Sequence, residues 1–205
     1  MDSILLATSN PHKLVEVTEI LSPLGLVVLG LGDVGVTIAE PVEDAPTFEG
    51  NARLKACYYA KATDQLCLAD DSGLEVDALD GAPGVFSARY SGVTGSREER
   101  DQANNLKLVA QLHGVPESGR SARFVCAMCL ASPDGAVLAE SRGTFEGVII
   151  DEPRGTNGFG YDPHLLIPEI GRTSAQLDPE DKNARSHRGH ATRQIANLIS
   201  DLDKA

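Results

Sequence analysis

Asp70 and Asp71 stand side by side at the end of an apolar run, residues 65–69, and are followed by Ser72 and Gly73. Short apolar runs bounded by turn residues read as buried strands. Adjacent carboxylates repel, so a pair at the mouth of a strand costs stability unless a cation or hydrogen bonds offset it. Magnesium, which takes one or two carboxylates and keeps several waters, suits such a pair. An ordinary turn is the competing reading, because Asp-Ser-Gly is turn chemistry by itself.

Other stretches supply groups that could act with this pair. Thr8-Ser9-Asn10-Pro11-His12-Lys13 joins a strand to a helix, where backbone N–H groups make an anion cradle and Lys13 adds a charge. A routine strand–helix connection would look the same. Asn51 and Lys55 lie one turn apart on a helix face, after an acidic loop with Glu40, Glu43 and Asp44. They form a solvated stripe, or else Lys55 and a loop carboxylate such as Glu43 both face Asp70 and Asp71. In residues 153–163, Gly155, Gly158 and Gly160 accompany Phe159, Tyr161 and Asp162. Such a loop suits close backbone approach to a ligand, or a tight crossing over a sheet. Ser186 can cap a closing helix with His187 and Arg188 in its first turn. Basic residues there oppose the helix dipole and ask for an anion or an acceptor-rich partner.

The elements that must position these groups follow from apolar spacing. Residues 3–7 read as a short strand, and Asn10 with Pro11 opens a helix carrying Leu14, Val17, Ile20, Leu21 and Leu24. Residues 26–29 form a second strand. Thr47 caps a helix through Cys57, Tyr58 and Lys61, and residues 74–79 alternate as a strand. Turns at 81–84 and 91–95 flank residues 85–90. A helix over 97–113 puts Leu106, Val109, Ala110 and His113 on one side, with His113 a helix-end residue and no ligand. Residues 120–131 and 136–145 form two antiparallel strands around Ser132-Pro-Asp-Gly135. Gly30, Gly32 and Gly35 satisfy a G-x-G-x-x-G pattern, but a dinucleotide site needs a helix to open at those glycines. Residues 36–41 are β-branched and end in Pro41, so they read as strand or loop.

The 205 residues suit one domain or two intimate lobes, and a 41% hydrophobic content is enough for a core. No apolar run approaches membrane-spanning length. The opening Met1-Asp2-Ser3-Ile4 argues against a secretory signal, which implies a cytoplasmic setting. Eighteen basic against thirty acidic residues give −12, disfavouring nucleic-acid binding. A polyanion would then need a local basic pocket, a metal, or both. Cys126 and Cys129 have metal-like spacing but sit in a strand pattern, where residues three apart face opposite sides. Cys57 and Cys67 do not complete a zinc site, so buried free thiols are expected.

Five segments together resemble one family, the inosine triphosphate pyrophosphatases, and most closely its bacterial dITP/XTP branch. They are Ala7-Thr-Ser-Asn-Pro-His-Lys13; Thr47-Phe-Glu-Gly-Asn-Ala-Arg-Leu-Lys55; Ala69-Asp-Asp-Ser-Gly-Leu74 with residues 81–92; Gly158-Phe-Gly-Tyr-Asp-Pro163; and Lys182 with Ser186-His-Arg-Gly189. The resemblance implies an α/β fold with a long mixed sheet, flanking helices and two lobes around a nucleotide-binding cleft, all in one domain and usually in a homodimer. It implies hydrolysis of non-standard purine nucleoside triphosphates (ITP, dITP, XTP) to monophosphate and pyrophosphate. Asp71 would hold Mg²⁺ and accept a proton from the attacking water, supported by Asp70. The family's other metal-binding acid falls on Glu43, with Glu40 the alternative because the loop over 40–46 is longer than in many relatives. Thr8, Ser9, Asn10, Pro11, His12, Lys13 and Ser72 would hold phosphate and sugar, while Lys13, Lys55 and Lys182 balance triphosphate charge. Phe159, in the Gly160-Tyr161 loop, would stack on the base, with Asp162, His187 and Arg188 reading its edge. His12 and Gly50 depart from the commoner small residue and glutamate. Two other readings are a septum-inhibitor-type pyrophosphatase and a silent nucleotide-binding module.

Overall fold

The computed structural model describes residues 3–35 and 38–202. Two strands and a helix open the chain: β1 (Ser3–Leu6), α1 (Pro11–Leu21) and β2 (Val27–Gly30). Asn10 caps α1 as its sequence requires, its side chain accepting from the His12 N–H at 3.0 Å. Residues 31–34 form a turn after β2, so no helix opens at the glycine pattern. The reading of Val36 and Thr37 as strand or loop lies outside the described residues. Thr47 caps α2 (Phe48–Thr63) by accepting from Gly50 N–H at 3.1 Å. Ala52, Ala56 and Ala60 line its buried face together with Asn51 and Lys55. Small residues one turn apart let that face approach its neighbours closely, bringing the polar pair in with them.

The third strand departs from expectation. β3 runs unbroken from Cys67–Val76, through Asp70, Asp71, Ser72 and Gly73, where the sequence suggests a strand end and a turn. Gly73 is required by proximity and makes no turn. A Cβ there would lie 2.3 Å from Ser87 Oγ and 2.7 Å from the Gly84 carbonyl oxygen. Ser87 Oγ also accepts from Leu74 N–H at 2.8 Å, stitching residues 84–89 to the strand. Those residues form a 3-10 helix, and another covers Asp77–Leu79 where the strand was expected to continue.

α3 (Arg97–Gln111) has a capping box at Ser96 and Glu99. Its buried side differs from the apolar one read from sequence: Asn104 and Leu108 are buried whereas Leu106 is 67% exposed. Asn104 can afford burial because its amide is used on both ends, accepting from Ser91 N–H at 2.7 Å and donating to the Ser87 carbonyl at 3.2 Å. His113 falls just beyond the helix and is exposed. β4 (Ser121–Ala131) and β5 (Val137–Ile149) flank the expected turn, closed by Gly135 N–H to Ser132 carbonyl at 2.7 Å. β6 (Leu165–Ile167), β7 (Arg172–Thr173), the short α4 (Pro179–Arg185) and α5 (His187–Leu202) finish the chain. α4 was not foreseen, while α5 starts at His187 as Ser186 suggests.

The strands hydrogen-bond in the order β2-β1-β3-β4-β5-β6-β7. β1 pairs parallel with β2 and β3, and β6 pairs antiparallel with β5 and β7, so the sheet is mixed, as expected. The chain divides into two compact units. One takes the residues up to Asp71, Cys126–Gly143 and those from His187; the other takes Ser72–Val125 and Thr144–Ser186. The first has a core of Ile4, Leu6 and Leu68 with Val17 and Leu21 of α1 and Ile195 and Ile199 of α5. The second packs Leu74, Leu108, Phe124, Phe145, Tyr161 and Leu165. Among the described residues no helix is long and apolar enough to cross a membrane.

Candidate active site

Because successive side chains of a strand point to opposite faces, neighbouring Asp70 and Asp71 have different direct partners, although the charges of Lys13 and Lys55 bear on both. Asp70 is 1% exposed, and its Oδ2 meets Lys13 Nζ at 2.8 Å and Arg188 Nε at 3.5 Å. The Cys126 thiol lies 3.8 Å from the same oxygen. Burial alone would raise the Asp70 pKa, but the charges of Lys13, Arg188 and Lys55 outweigh it and hold the carboxyl well below the usual range. Asp70 Oδ1 is buried and has no hydrogen-bond partner among the described residues.

Asp71 has other company. Its Oδ2 accepts from Asn51 Nδ2 at 3.0 Å, and its Oδ1 faces Lys55 Nζ at 3.4 Å. Here burial wins, pushing the carboxyl up; Lys55 and the Asn51 hydrogen bond offset it only in part. Lys55 also meets Glu43 Oε2 at 3.1 Å. Burial disfavours its charge, but Asp71, Asp70 and Glu43 together raise its pKa and keep the ammonium. Of the two rival loop acids, Glu43 therefore reaches the Asp71 group. Glu40 is exposed, and its charge adds to burial in raising the Tyr59 phenol. Asn51 ties loop to strand, since its Oδ1 accepts from Ala45 N–H at 3.0 Å. Gly50 makes room for that loop: a Cβ would stand 2.7 Å from Ala45 Cβ.

Glu43 and Asp71 thus each bring an oxygen to one ammonium. Among the described residues no group of three or more His, Cys, Asp or Glu side chains could hold a metal. Magnesium needs only one or two carboxylates and fills its octahedron with water, so the hard oxygens of this pair, converging on one cation, fit it.

Around the start of α1, Thr8 Oγ1 accepts from Asn10 N–H at 3.2 Å, Pro11 takes the first helical position, and Ser9 and His12 are exposed. Lys13 pairs with Asp70. Glu16, one turn on, pairs with Arg188. The anions that His187 and Arg188 seemed to require are thus supplied to Arg188 by the protein, in Asp70 and Glu16. Arg188 is 1% exposed, His187 is buried, and α5 starts close over β5: a Cβ at Gly143 would lie 2.2 Å from the His187 carbonyl oxygen.

The second unit gathers Phe159, Asp162 and Lys182; Ser72 stands in β3, half-buried. Asp162 accepts from Phe159 N–H at 2.8 Å, Ser174 Oγ at 2.6 Å and Lys182 Nζ at 2.7 Å. Its side chain organises the loop, where sequence suggested a reader of the base edge. The loop glycines serve the same packing: a Cβ at Gly158 would lie 2.1 Å from Asp162 Oδ2. Tyr161 is buried and donates to the Ser87 carbonyl at 2.8 Å, a structural use. The Phe159 ring is faced by the Arg97 guanidinium at 4.4 Å and Lys182 Nζ at 5.2 Å.

Asn51, Glu16, Ser174 and Cys126 were not among the sequence-derived site residues. Only the first two carried a signal, as helical neighbours of Lys55 and Lys13. All four cysteines are free; Cys57 is half-buried where burial was expected, and burial pushes the thiols of Cys67, Cys126 and Cys129 up to about 12.

The model of the Ham1 family matches residues 4–198. The chain is 46% identical over 200 residues to the dITP/XTP pyrophosphatase of Desulforamulus reducens, covering 97% of this chain and 96% of that protein. It is 50% identical over 199 residues to the dITP/XTP pyrophosphatase of Nitratidesulfovibrio vulgaris, covering 96% and 95%. Among solved structures, a HAM1 protein from Coxiella burnetii matches with a TM-score of 0.86 at 41% identity, covering 98% of this chain and 100% of that one.

Proposed function

The chain belongs to the Ham1 family, and we propose that it hydrolyses non-standard purine nucleoside triphosphates such as dITP, XTP and ITP to the monophosphate and pyrophosphate. Nearly full-length likeness to proteins named dITP/XTP pyrophosphatase supports the reaction class. The observation that carries the chemistry is Asp71, a buried carboxylate with a raised pKa, oriented by Asn51 and joined to Glu43 through Lys55. A raised pKa makes a better proton acceptor, and an oriented carboxylate holds a water in line with the bond to be broken.

In this mechanism a water oxygen forms a bond to the α-phosphorus, and the bond from that phosphorus to the bridging oxygen breaks. Pyrophosphate leaves with the electron pair, and the water's proton passes to Asp71. Lys55, Lys13 and Lys182 offset triphosphate charge, with Thr8, Ser9, Asn10, Pro11, His12 and Ser72 around phosphate and sugar. Mg²⁺, held by Asp71 and Glu43, would supply charge neutralisation at the phosphates. Phe159 stacks on the base, flanked by Gly160, Tyr161 and Asp162, while His187 and Arg188 contribute donors for O6 and N7. Homodimeric assembly belongs to the same proposal, as does a cytoplasmic setting, which the free buried thiols favour.

The test is product analysis on dITP, XTP, ITP, GTP, ATP and dUTP with Mg²⁺. Pyrophosphate is expected from the first three, with activity abolished by chelator and restored by Mg²⁺. Release of orthophosphate, binding without turnover, or full activity in excess chelator would each defeat part of this reading.

A further inference from the structure

One stripe of α3 is applied to a single turn of the glycine-rich loop. Arg97, Asp101 and Asn105 are spaced four apart, so they share a helix face. Asp101 Oδ2 accepts from the Gly160 N–H at 3.0 Å, and Asn105 Nδ2 donates to the Gly160 carbonyl at 3.0 Å. Both polar backbone groups of one residue are thereby engaged by one helix. Gly160 has φ +61°, a conformation that favours glycine and is where the chain turns between Phe159 and Tyr161. Asn105 Oδ1 is buried without a hydrogen-bond partner among the described residues, so the amide's contribution is its N–H to the loop. An acceptor left unmet in a closed position costs stability, and that cost is retained alongside the contact with Gly160. The third member, Arg97, lays its guanidinium 4.4 Å from the Phe159 ring centre and lies 3.8 Å from Asp101. Helix, backbone and ring are linked in sequence.

We propose that Arg97, Asp101 and Asn105 are positioning residues that fix the place of the Phe159 ring through Gly160, and so set how tightly a purine base is held. This rests on the reading of Phe159 as the stacking residue. None of the three need touch the reacting atoms: an aromatic ring gains from stacking only where its plane is fixed before the base arrives. The effect therefore belongs in KM, with the chemical step at Asp71 untouched.

The experiment measures kcat and KM for dITP at saturating Mg²⁺, together with Tm, on the full chain. Asp101→Ala and Asn105→Ala should each raise KM roughly fivefold, with kcat changed by less than about twofold. Arg97→Ala should raise it by about twofold. Asp101→Asn keeps an oxygen for the Gly160 N–H and should restore a near-wild-type KM, a rescue that a role through charge alone does not give, while an unchanged Tm separates the effect from a merely structural one. A fall in kcat and Tm with unchanged KM, or no rescue by Asp101→Asn, overturns the proposal. Phe159→Leu separates the premise from the inference. If it leaves KM unchanged, the stacking reading fails and takes the proposal with it. If it raises KM while the alanine variants on α3 do not, the proposal alone fails.

Discussion

On one face of β3 Asp70 meets Lys13 at 2.8 Å and Arg188 at 3.5 Å; on the other, Asp71 meets a neutral amide and one ammonium that it shares with Glu43. The residue type, the strand and the depth are nearly the same, yet the two carboxyls are shifted in opposite directions. Asp70 is over-supplied with positive charge and is locked as an anion, which makes it a poor base and a good anchor. Asp71 is under-supplied, which leaves it the more basic of the two. A site that needs one fixed and one reactive charge can thus build both from adjacent residues, because strand alternation delivers them to different partners.

The largest expected effect breaks the comparison on the reactive side. Asp71→Asn keeps the size and the Asn51 contact region but removes the basic group, so kcat should fall by about 10²–10⁴. Stability should hold or rise in metal-free buffer, because ionised Asp71 is disfavoured by burial in the folded state. A variant turning over at near-wild-type kcat would remove Asp71 from the proton-accepting role.

Asp70→Asn should do the reverse, acting first on the fold. It strips the counter-charge from Lys13 and from fully buried Arg188, and breaking a buried pair in this way costs roughly 3–5 kcal/mol. Denaturant titration measures it. The pH signature follows from the sign of the shift. The folded pKa of Asp70 lies below its unfolded value, so its contribution is present in full above roughly pH 4. That contribution is lost as pH falls through the folded value. Wild type should therefore lose stability in acid along a slope that Asp70→Asn lacks. Asp71 has the opposite sign: its folded pKa is raised, so acidification through that pKa relieves a cost. Equal acid slopes in wild type and Asp70→Asn would show that the cations do not hold Asp70 low.

What could be read from sequence here was local chemistry. Asn10 with Pro11, Thr47, Ser132 to Gly135 and the start of α5 each carry their instruction within four residues, and the structure follows them. Partners distant in the chain were not legible in the same way. Gly73 looks like a turn residue until Ser87 is packed against it. Arg188 looks like a group awaiting a ligand until Glu16, 172 residues away, is beside it. Asp162 looks available until Ser174 and Lys182 occupy its oxygens. The buried side of α3 was missed because Asn104 is polar, and its burial is secured by Ser87 and Ser91, which no periodicity reports.

The smallest effects sharpen the comparison most, because they test one supporting residue on each face. Glu16 reaches Asp70 through Arg188, and its side chain is 16% exposed. Glu16→Gln keeps an oxygen for the guanidinium and loses the charge, so stability should fall by about 1 kcal/mol with kcat nearly unchanged. Asn51 serves the other face, holding Asp71 Oδ2 and the Ala45 N–H with one amide. Asn51→Ala frees the carboxylate to rotate and loosens the loop that carries Glu43. Two hydrogen bonds of about 1 kcal/mol each then put kcat/KM down by roughly tenfold or more. The Mg²⁺ concentration for half-maximal activity should rise with it, since both proposed metal-binding acids lose their tether, whereas Glu16→Gln should leave that concentration where it is. The comparison fails if Glu16→Gln shifts the Mg²⁺ requirement as far as Asn51→Ala does, for then the two faces of β3 act as one charge cluster and the division between anchor and base is not real.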